Sequence, residues 1–384
     1  MYYSRLLVPP STSFFLFGCR GTGKSTWVSH VLPGAHVISL LNETHYQEYL
    51  ASPALFRQEL HAIKPGTWVF IDEIQRLPNL LNEVHSAIEE RKLKFILCGS
   101  SARKLRRSGV NLLGGRALEK HLFPFLPQEL KKNYDLETTL RFGTLPVIFT
   151  SDDKREQLEA YTQMYLKEEI QAEALVRNLP GFARFLPVAA LFHGQTINVT
   201  NIARDAKVAR TTAEGYLQIL EDTLMVFFIH GYEANLRVKE RKLPKLYWVD
   251  PGMVCGILRR WAPPEDAFRG ALFEGLIATI LKAMQSYNRD FCDEISYWAP
   301  GEAMDTEVDF LLRKGDEFIA IEVKSGATFR KDWTKGLRAI KNLKGLRRSI
   351  VVYPSGKKLR TDESMDVLPF NEFVQEIAEN TLFP

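Results

Sequence analysis

The sequence predicts an α/β protein built on a parallel sheet, and three observations predict it. Short apolar runs at Phe14–Gly18, His36–Leu40, Thr67–Asp72 and Lys94–Gly99 alternate with helical patterns through residues 1–127. Such alternation gives parallel strands covered by helices on both faces. A glycine-rich loop follows the first run, and the third run ends in two adjacent acids, Asp72 and Glu73. The 384 residues are 45% apolar and 25% charged, a globular composition that excludes a disordered or fibrous chain. At roughly 100–200 residues per domain, the length fits two to four domains.

The N-terminal stretch Met1–Cys19 is greasy but is broken by Pro9 and Pro10. Its Phe14–Phe17 run leads into the glycine loop, so a buried strand is expected there rather than a signal peptide. No apolar run approaches the ~18 residues that a membrane span requires, so no membrane association is expected. The four cysteines, Cys19, Cys98, Cys255 and Cys292, are scattered without a C-x-x-C pair. That argues against a disulfide framework or a cysteine zinc site and fits a reducing cytoplasm.

The loop reads Gly18-Cys19-Arg20-Gly21-Thr22-Gly23-Lys24-Ser25, with Thr26 opening the next helix. This is G-x4-G-K-[ST] between a strand and a helix, the signature of a P-loop NTPase. Glycines let successive backbone N–H groups point at phosphate oxygens, and the helix aims its positive end at the same anion. Lys24 would neutralise the β- and γ-phosphates of ATP, and Ser25 would ligate Mg2+. Asp72 would hold Mg2+ through water. Glu73 would polarise the attacking water as general base. The adjacent acids favour a hydrolase over a kinase, and no N-K-x-D motif of a GTPase occurs.

The run Lys94–Gly99 ends in Ser100 and Ser101, so Ser100 could sense the γ-phosphate. Arg103 and Arg116 are candidates to donate charge to the transition state, with Arg116 preferred. Phe123-Pro124-Phe125-Leu126-Pro127 then punctuates the chain, and residues 128–192 read as a helical lid. Within it, Ser151 is expected to cap a helix carrying Leu158, Tyr161 and Tyr165 on one stripe.

Residues 193–260 read as a winged helix-turn-helix. Thr200 would cap a first helix, Lys207–Ala209 turn the chain, and a second helix from Arg210 turns Tyr216, Leu217 and Leu220 inward. Strands at Met225–Gly231 and Lys245–Val249 complete the pattern. In a DNA binder Arg210, Thr211 and Thr212 would face base edges. Residues 196–250, however, hold eight basic and seven acidic residues, so a protein partner for this module remains the alternative.

After the linker Trp261–Pro264, residues 261–384 read as helix, three strands, helix, strand, with a C-terminal tail. The strands are Ile295–Trp298, Val308–Leu312, Phe318–Val323 and Ser349–Tyr353. Asp309 lies in one apolar strand, and Glu322 and Lys324 lie at the end of the next, on one face. Glu274 in the preceding helix could add a ligand. The order and residues resemble the PD-(D/E)-x-K nuclease core, which implies Mg2+ held by Glu274, Asp309 and Glu322, and water oriented by Lys324. Of four E-x-K instances, only Glu322/Lys324 ends an apolar strand.

The formal charge is only +4, but it is unevenly spread. Arg91–Arg116 holds eight basic residues and no acid, and Lys324–Arg360 holds twelve basic residues and one acid, Asp332, a local balance of +11. Such density suits a polyanion such as DNA or another nucleic acid.

At Phe15–Thr26, Phe70–Gln75, Gly99–Ser101, Gly115–Ala117, Leu122–Phe125, Gly215–Glu221, Lys245–Gly252 and Glu307–Phe310, nearly the whole chain resembles the prokaryotic AAA-type ATPases that end in a domain of unknown function numbered 4143. The resemblance implies an ATPase core, a helical lid and a C-terminal region, with ATP sites at the borders of a homo-oligomer. The combined expectation is a Mg2+-dependent ATP hydrolase that contacts nucleic acid and could cut it. The alternative is a nucleotide-switched protein-interaction module without nuclease activity.

Overall fold

The computed structural model describes residues 2–99, 115–165, 179–233, 242–301 and 306–383. The expectations for Ser100, Ser101 and Arg103 lie outside those residues. The chain divides into two compact units. One is Ser4–Phe123 with Ile219–Met225; the other is Met1–Tyr3, Pro124–Gln218 and Val226–Pro384.

The first unit is an α/β layer. Strands β1 (Phe14–Phe17), β2 (His36–Ser39), β3 (Trp68–Asp72), β4 (Lys94–Gly99) and β5 (Leu118–His121) form one sheet in the order β2-β3-β4-β1-β5. Every pairing is parallel, as the strand–helix alternation requires. Phe15, Phe17, Ile71, Phe95 and Leu97 pack with Phe56 and Leu60 of helix Pro53–Ala62 and with Val84 and Ala87 of helix Leu80–Arg91. Phe14, Leu16, Phe70, Ile96 and Cys98, on the alternating positions, are buried as well. A sheet buried on both faces reads as unbroken apolar runs, which is why these strands were visible in the sequence. β5 was not: its Leu-Glu-Lys-His composition carries no apolar signal, and pairing with β1 alone makes it a strand.

In the second unit, short helices at Leu136–Phe142, Lys154–Ala160 and Leu179–Leu191 pack around helix Pro251–Leu258. The cap of the second is Asp153, whose carboxylate accepts from Glu156 N, not Ser151. Leu158 and Tyr161 are buried as expected, with Tyr161 already in a π-turn that follows the helix. Helix Val199–Asp205 is likewise capped by Asn198, which accepts from Thr200 N, so Thr200 donates a backbone N–H rather than capping. In both cases an Asx side chain takes the cap; at Asn198 it displaces Thr200, the weaker N-cap of the two.

Helix Arg210–Asp222 follows, with Tyr216, Leu217 and Leu220 buried. Strands β6 (Gln195–Thr196), β7 (Val226–Ile229) and β8 (Lys245–Trp248) form an antiparallel sheet in the order β6-β8-β7. The 22-residue helix Asp266–Tyr287 leads into the C-terminal sheet. That sheet has the order β13-β14-β12-β11-β10-β9, from β9 (Glu294–Trp298), β10 (Val308–Lys314), β11 (Glu317–Val323), β12 (Leu346–Tyr353), β13 (Leu359–Arg360) and β14 (Asp366–Pro369). β9, β10 and β11 run antiparallel, while β11, β12 and β14 are parallel. The expected tail is structured: β14 and helix Phe370–Ala378 bury Val367, Leu368, Phe370, Phe373 and Ile377.

Asp250 ties the helical part together. Its carboxylate caps helix Pro251–Leu258 through Gly252 N at 2.8 Å and also accepts from Thr144 N at 2.7 Å and Leu145 N at 3.1 Å. Gly143, at φ +73°, leaves the room: a Cβ there would lie 1.7 Å from Asp250 Oδ1. Among the described residues no helix is long and apolar enough to cross a membrane.

Candidate functional site

The glycine loop is shaped for an anion. Gly21 and Gly23 sit at φ 85° and 80°, a region open to glycine and strained for other residues. Gly18 is constrained by space: a Cβ would lie 2.5 Å from Leu122 O. Thr22 is fully buried, and its Oγ1 donates to Cys19 O at 2.9 Å, holding the loop closed on itself. Lys24 Nζ folds back under the loop and donates to Gly18 O at 2.7 Å and Cys19 O at 3.4 Å. Arg20 and Ser25 are exposed at the rim.

Ser25 Oγ donates to Asp72 Oδ2 at 2.9 Å, so the loop hydroxyl and the strand-end carboxylate meet across forty-seven residues of sequence. This pair suits Mg2+, a hard cation held by a few oxygen ligands beside phosphate. The order of the sheet explains the meeting. β1 delivers the loop, β3 delivers Asp72 and Glu73, and β4 runs between them.

Glu73 leaves β3 in the left-handed region, φ 59° and ψ 43°, and starts the turn Ile74–Arg76. Its carboxylate accepts a short hydrogen bond from Gln75 Nε2. Gln75 is buried and lies against Gly99 at the end of β4, where a Cβ would come within 2.5 Å of Gln75 Oε1. Sequence reasoning missed Gln75, although its position two residues beyond Glu73 after a sharp turn was readable. It also missed Arg5, whose guanidinium donates to Thr22 O at 3.1 Å and to Phe123 O. Nothing in the sequence links residue 5 to the loop. Arg116 Nε donates to Glu89 on helix Leu80–Arg91, and both side chains are largely exposed.

A second cluster lies in the other unit. The structure brings Glu274, Asp309, Glu322 and Lys324 together, and adds two residues that sequence reasoning missed, Lys245 and Glu307. Lys245 Nζ, 3% exposed, lies 3.0 Å from Glu274 Oε1, 3.4 Å from Glu307 Oε1 and 3.5 Å from Asp309 Oδ1. Tyr247 OH donates to the same Glu274 oxygen at 2.6 Å. Lys245 and Tyr247 point the same way because they are two apart on β8. Asp309 sits where β10 breaks register against β9, and its Oδ2 accepts from Val323 N at 2.7 Å. Lys324 donates to Glu322 Oε1, while Glu322 Oε2 is buried without a hydrogen-bond partner.

The electrostatics follow from burial. Glu274 is pushed up to about 7 by burial and by Asp309, against the pull of Lys245. Burial and Asp309 also hold Glu322 well above the carboxylate range, against Lys324. For Lys245 burial works downward, but Glu274, Tyr247, Asp309 and Glu307 outweigh it and keep the ammonium well above its usual value. Among the described residues no group of three or more His, Cys, Asp or Glu side chains has the geometry to hold a metal ion.

The basic stretch Lys324–Arg360 is less basic in three dimensions than in sequence. Acids from outside it pair with Lys324 (Glu322), Arg338 (Glu363), Arg347 (Glu317), Arg348 (Asp366 and Glu376), Lys358 (Glu376) and Arg360 (Asp366). Lys331, Lys335, Lys341, Lys344 and Lys357 are exposed.

Three family models match successive stretches of the chain. A model described as an AAA domain matches residues 11–131, and two domains of unknown function, DUF8612 and DUF4143, match residues 133–263 and 269–373. An uncharacterized protein of Mycobacterium tuberculosis is 25% identical over 85% of this chain and 72% of its own length. One of Haemophilus influenzae is 22% identical over 84% of this chain and 85% of its own. Among solved structures, the Aeropyrum pernix ORC1 protein in complex with DNA is 13% identical over 66% of this chain and 87% of that one, with a TM-score of 0.26. Replication initiator DnaA bound to AMPPCP and single-stranded DNA is 16% identical over 56% and 83%, with a TM-score of 0.25. Scores that low carry no argument about this chain. The matches agree with the sheet and loop described above: residues 11–131, which contain both, are similar to the AAA domain model, and residues 269–373 are similar to the DUF4143 model.

Proposed function

We propose that the protein is a Mg2+-dependent ATP hydrolase whose C-terminal unit contacts nucleic acid. The observation that carries the first part is the 2.9 Å bond between Ser25 Oγ and Asp72 Oδ2 beside a glycine loop under which Lys24 is folded. Backbone N–H groups of Gly21–Lys24 would bind the β-phosphate, and Lys24 would exchange its carbonyl partners for phosphate oxygens. Mg2+, held by Ser25 and Asp72, supplies charge neutralisation when bound. Glu73 would orient and deprotonate the attacking water, and Gln75 would keep its carboxylate in place.

Nucleic-acid contact is supported by the five exposed lysines of the C-terminal unit, which suit phosphate oxygens. The carboxylates that cover the neighbouring arginines favour the second reading, a protein-interaction module switched by nucleotide. A salt titration separates them. Phosphate binding makes log K fall with log salt at a slope of about −0.9 per phosphate neutralised on duplex DNA, whereas a protein-docking surface binds DNA weakly and with little slope. For the nucleotide, the test is fluorescent-ATP binding: wild type should bind in Mg2+ and Lys24→Ala should not. Equal binding by both would overturn the assignment.

A further inference from the structure

The cluster around Lys245 has the donors of a cation site and already contains a cation. Glu274, Glu307 and Asp309 each place one carboxylate oxygen within 3.5 Å of Lys245 Nζ. Glu322 adds Oε2, an oxygen on a residue only 4% exposed that has no hydrogen-bond partner. The ammonium comes from β8, in the three-stranded sheet, while the acids come from helix Asp266–Tyr287 and from β10, β11 and the residue before β10. A buried, unpaired carboxylate is costly, so acids packed this closely require a positive charge among them. Lys245 supplies it, seated against the Tyr297 ring at 5.4 Å and beside the Tyr247 hydroxyl that shares Glu274 Oε1.

We propose that Lys245 is the resident cation of this site and excludes divalent metal from it, so that the Asp309–Glu322 carboxylates bind metal only when Lys245 is removed or withdrawn. Residues of the glycine loop take no part, so the inference stands independently of the nucleotide reading.

The test is Mn2+ binding by the full chain, read by electron paramagnetic resonance and by the shift of Tm. Lys245→Met keeps the aliphatic stem and deletes the charge. Wild type should show no Mn2+ binding that Asp309→Asn abolishes. Lys245→Met should gain a site at least about tenfold tighter than any in wild type, and Lys245→Met/Asp309→Asn should lose it. If Lys245→Met folds only in Mn2+, that rescue supports the proposal equally. If it neither binds Mn2+ nor is rescued by it, the proposal fails. Asp309-dependent Mn2+ binding in wild type, with Lys245 in place, also overturns it.

Discussion

Replacing Gln75 by Leu should slow ATP turnover without weakening ATP binding. The Gln75 side-chain amide donates to the Glu73 carboxylate. A hydrogen bond to a charged group contributes about 1.5–3 kcal/mol. Glu73 is also held in the left-handed region at φ 59°, which costs a non-glycine residue roughly 1–2 kcal/mol, so once released its carboxylate has reason to move. If the hydrogen bond is what keeps the base aligned, losing it raises the barrier by most of that energy. At 1.36 kcal/mol per decade, kcat should fall about ten- to a hundredfold with KM little changed. Gly99→Ala gives an independent route to the same defect, because its Cβ would lie 2.5 Å from Gln75 Oε1 and push the amide away. Steady-state phosphate release by the two variants is the assay. A kcat equal to or above wild type in Gln75→Leu would refute the positioning role, and a loss confined to KM would place Gln75 in binding instead.

Asp250→Ala should destabilise the chain by about 3 kcal/mol, since three N–H donors lose their acceptor at roughly 1 kcal/mol each; Asp250→Asn, which keeps an acceptor, should lose less in a denaturant titration. Burial pushes His193 down to about 3, below its ordinary 6.5. The folded state therefore refuses a proton that the unfolded chain accepts, and stability should fall as pH drops from 6.5 toward 3, by at most about 1.36 kcal/mol per pH unit. His193→Gln should flatten the Tm–pH profile in that window. Mixing Arg116→Ala with Lys24→Ala chains should restore part of the ATPase activity if Arg116 leaves Glu89 to complete a neighbour's site; no complementation would exclude a role in trans. Neutralising Lys331, Lys335, Lys341, Lys344 and Lys357 should weaken DNA binding and reduce its salt slope by about one unit for each phosphate no longer neutralised, whereas an unchanged slope would free those lysines of any phosphate role.

The loop and the strands that carry it were legible because their signals are local. Gly18–Ser25 fixes its own backbone, and a sheet buried on both faces writes itself as apolar runs. Asp72 and Glu73 were legible from strand end and spacing. Arg5 and Lys245 were not, because each acts on residues that folding brings close: Lys245 lies sixty-two residues from Glu307 and sixty-four from Asp309. The +11 stretch misled for the same reason. A window of sequence counts only its own charges, while Glu317, Glu363, Asp366 and Glu376 reach it through the sheet and the last helix. Caps were misassigned by two residues at Asn198 and by two at Asp153, where competing polar side chains sit within one turn.

The central claim is that Glu73 activates water at a site where Ser25 and Asp72 hold Mg2+ and Lys24 holds phosphate. Single-turnover hydrolysis of radiolabelled ATP by Glu73→Gln, run beside equilibrium ATP binding, tests it most directly. The expected result is wild-type ATP affinity in Mg2+ with turnover reduced by about 10²-fold or more, the range lost when a general base is removed. Hydrolysis by Glu73→Gln at the wild-type rate, with ATP bound, would contradict the account.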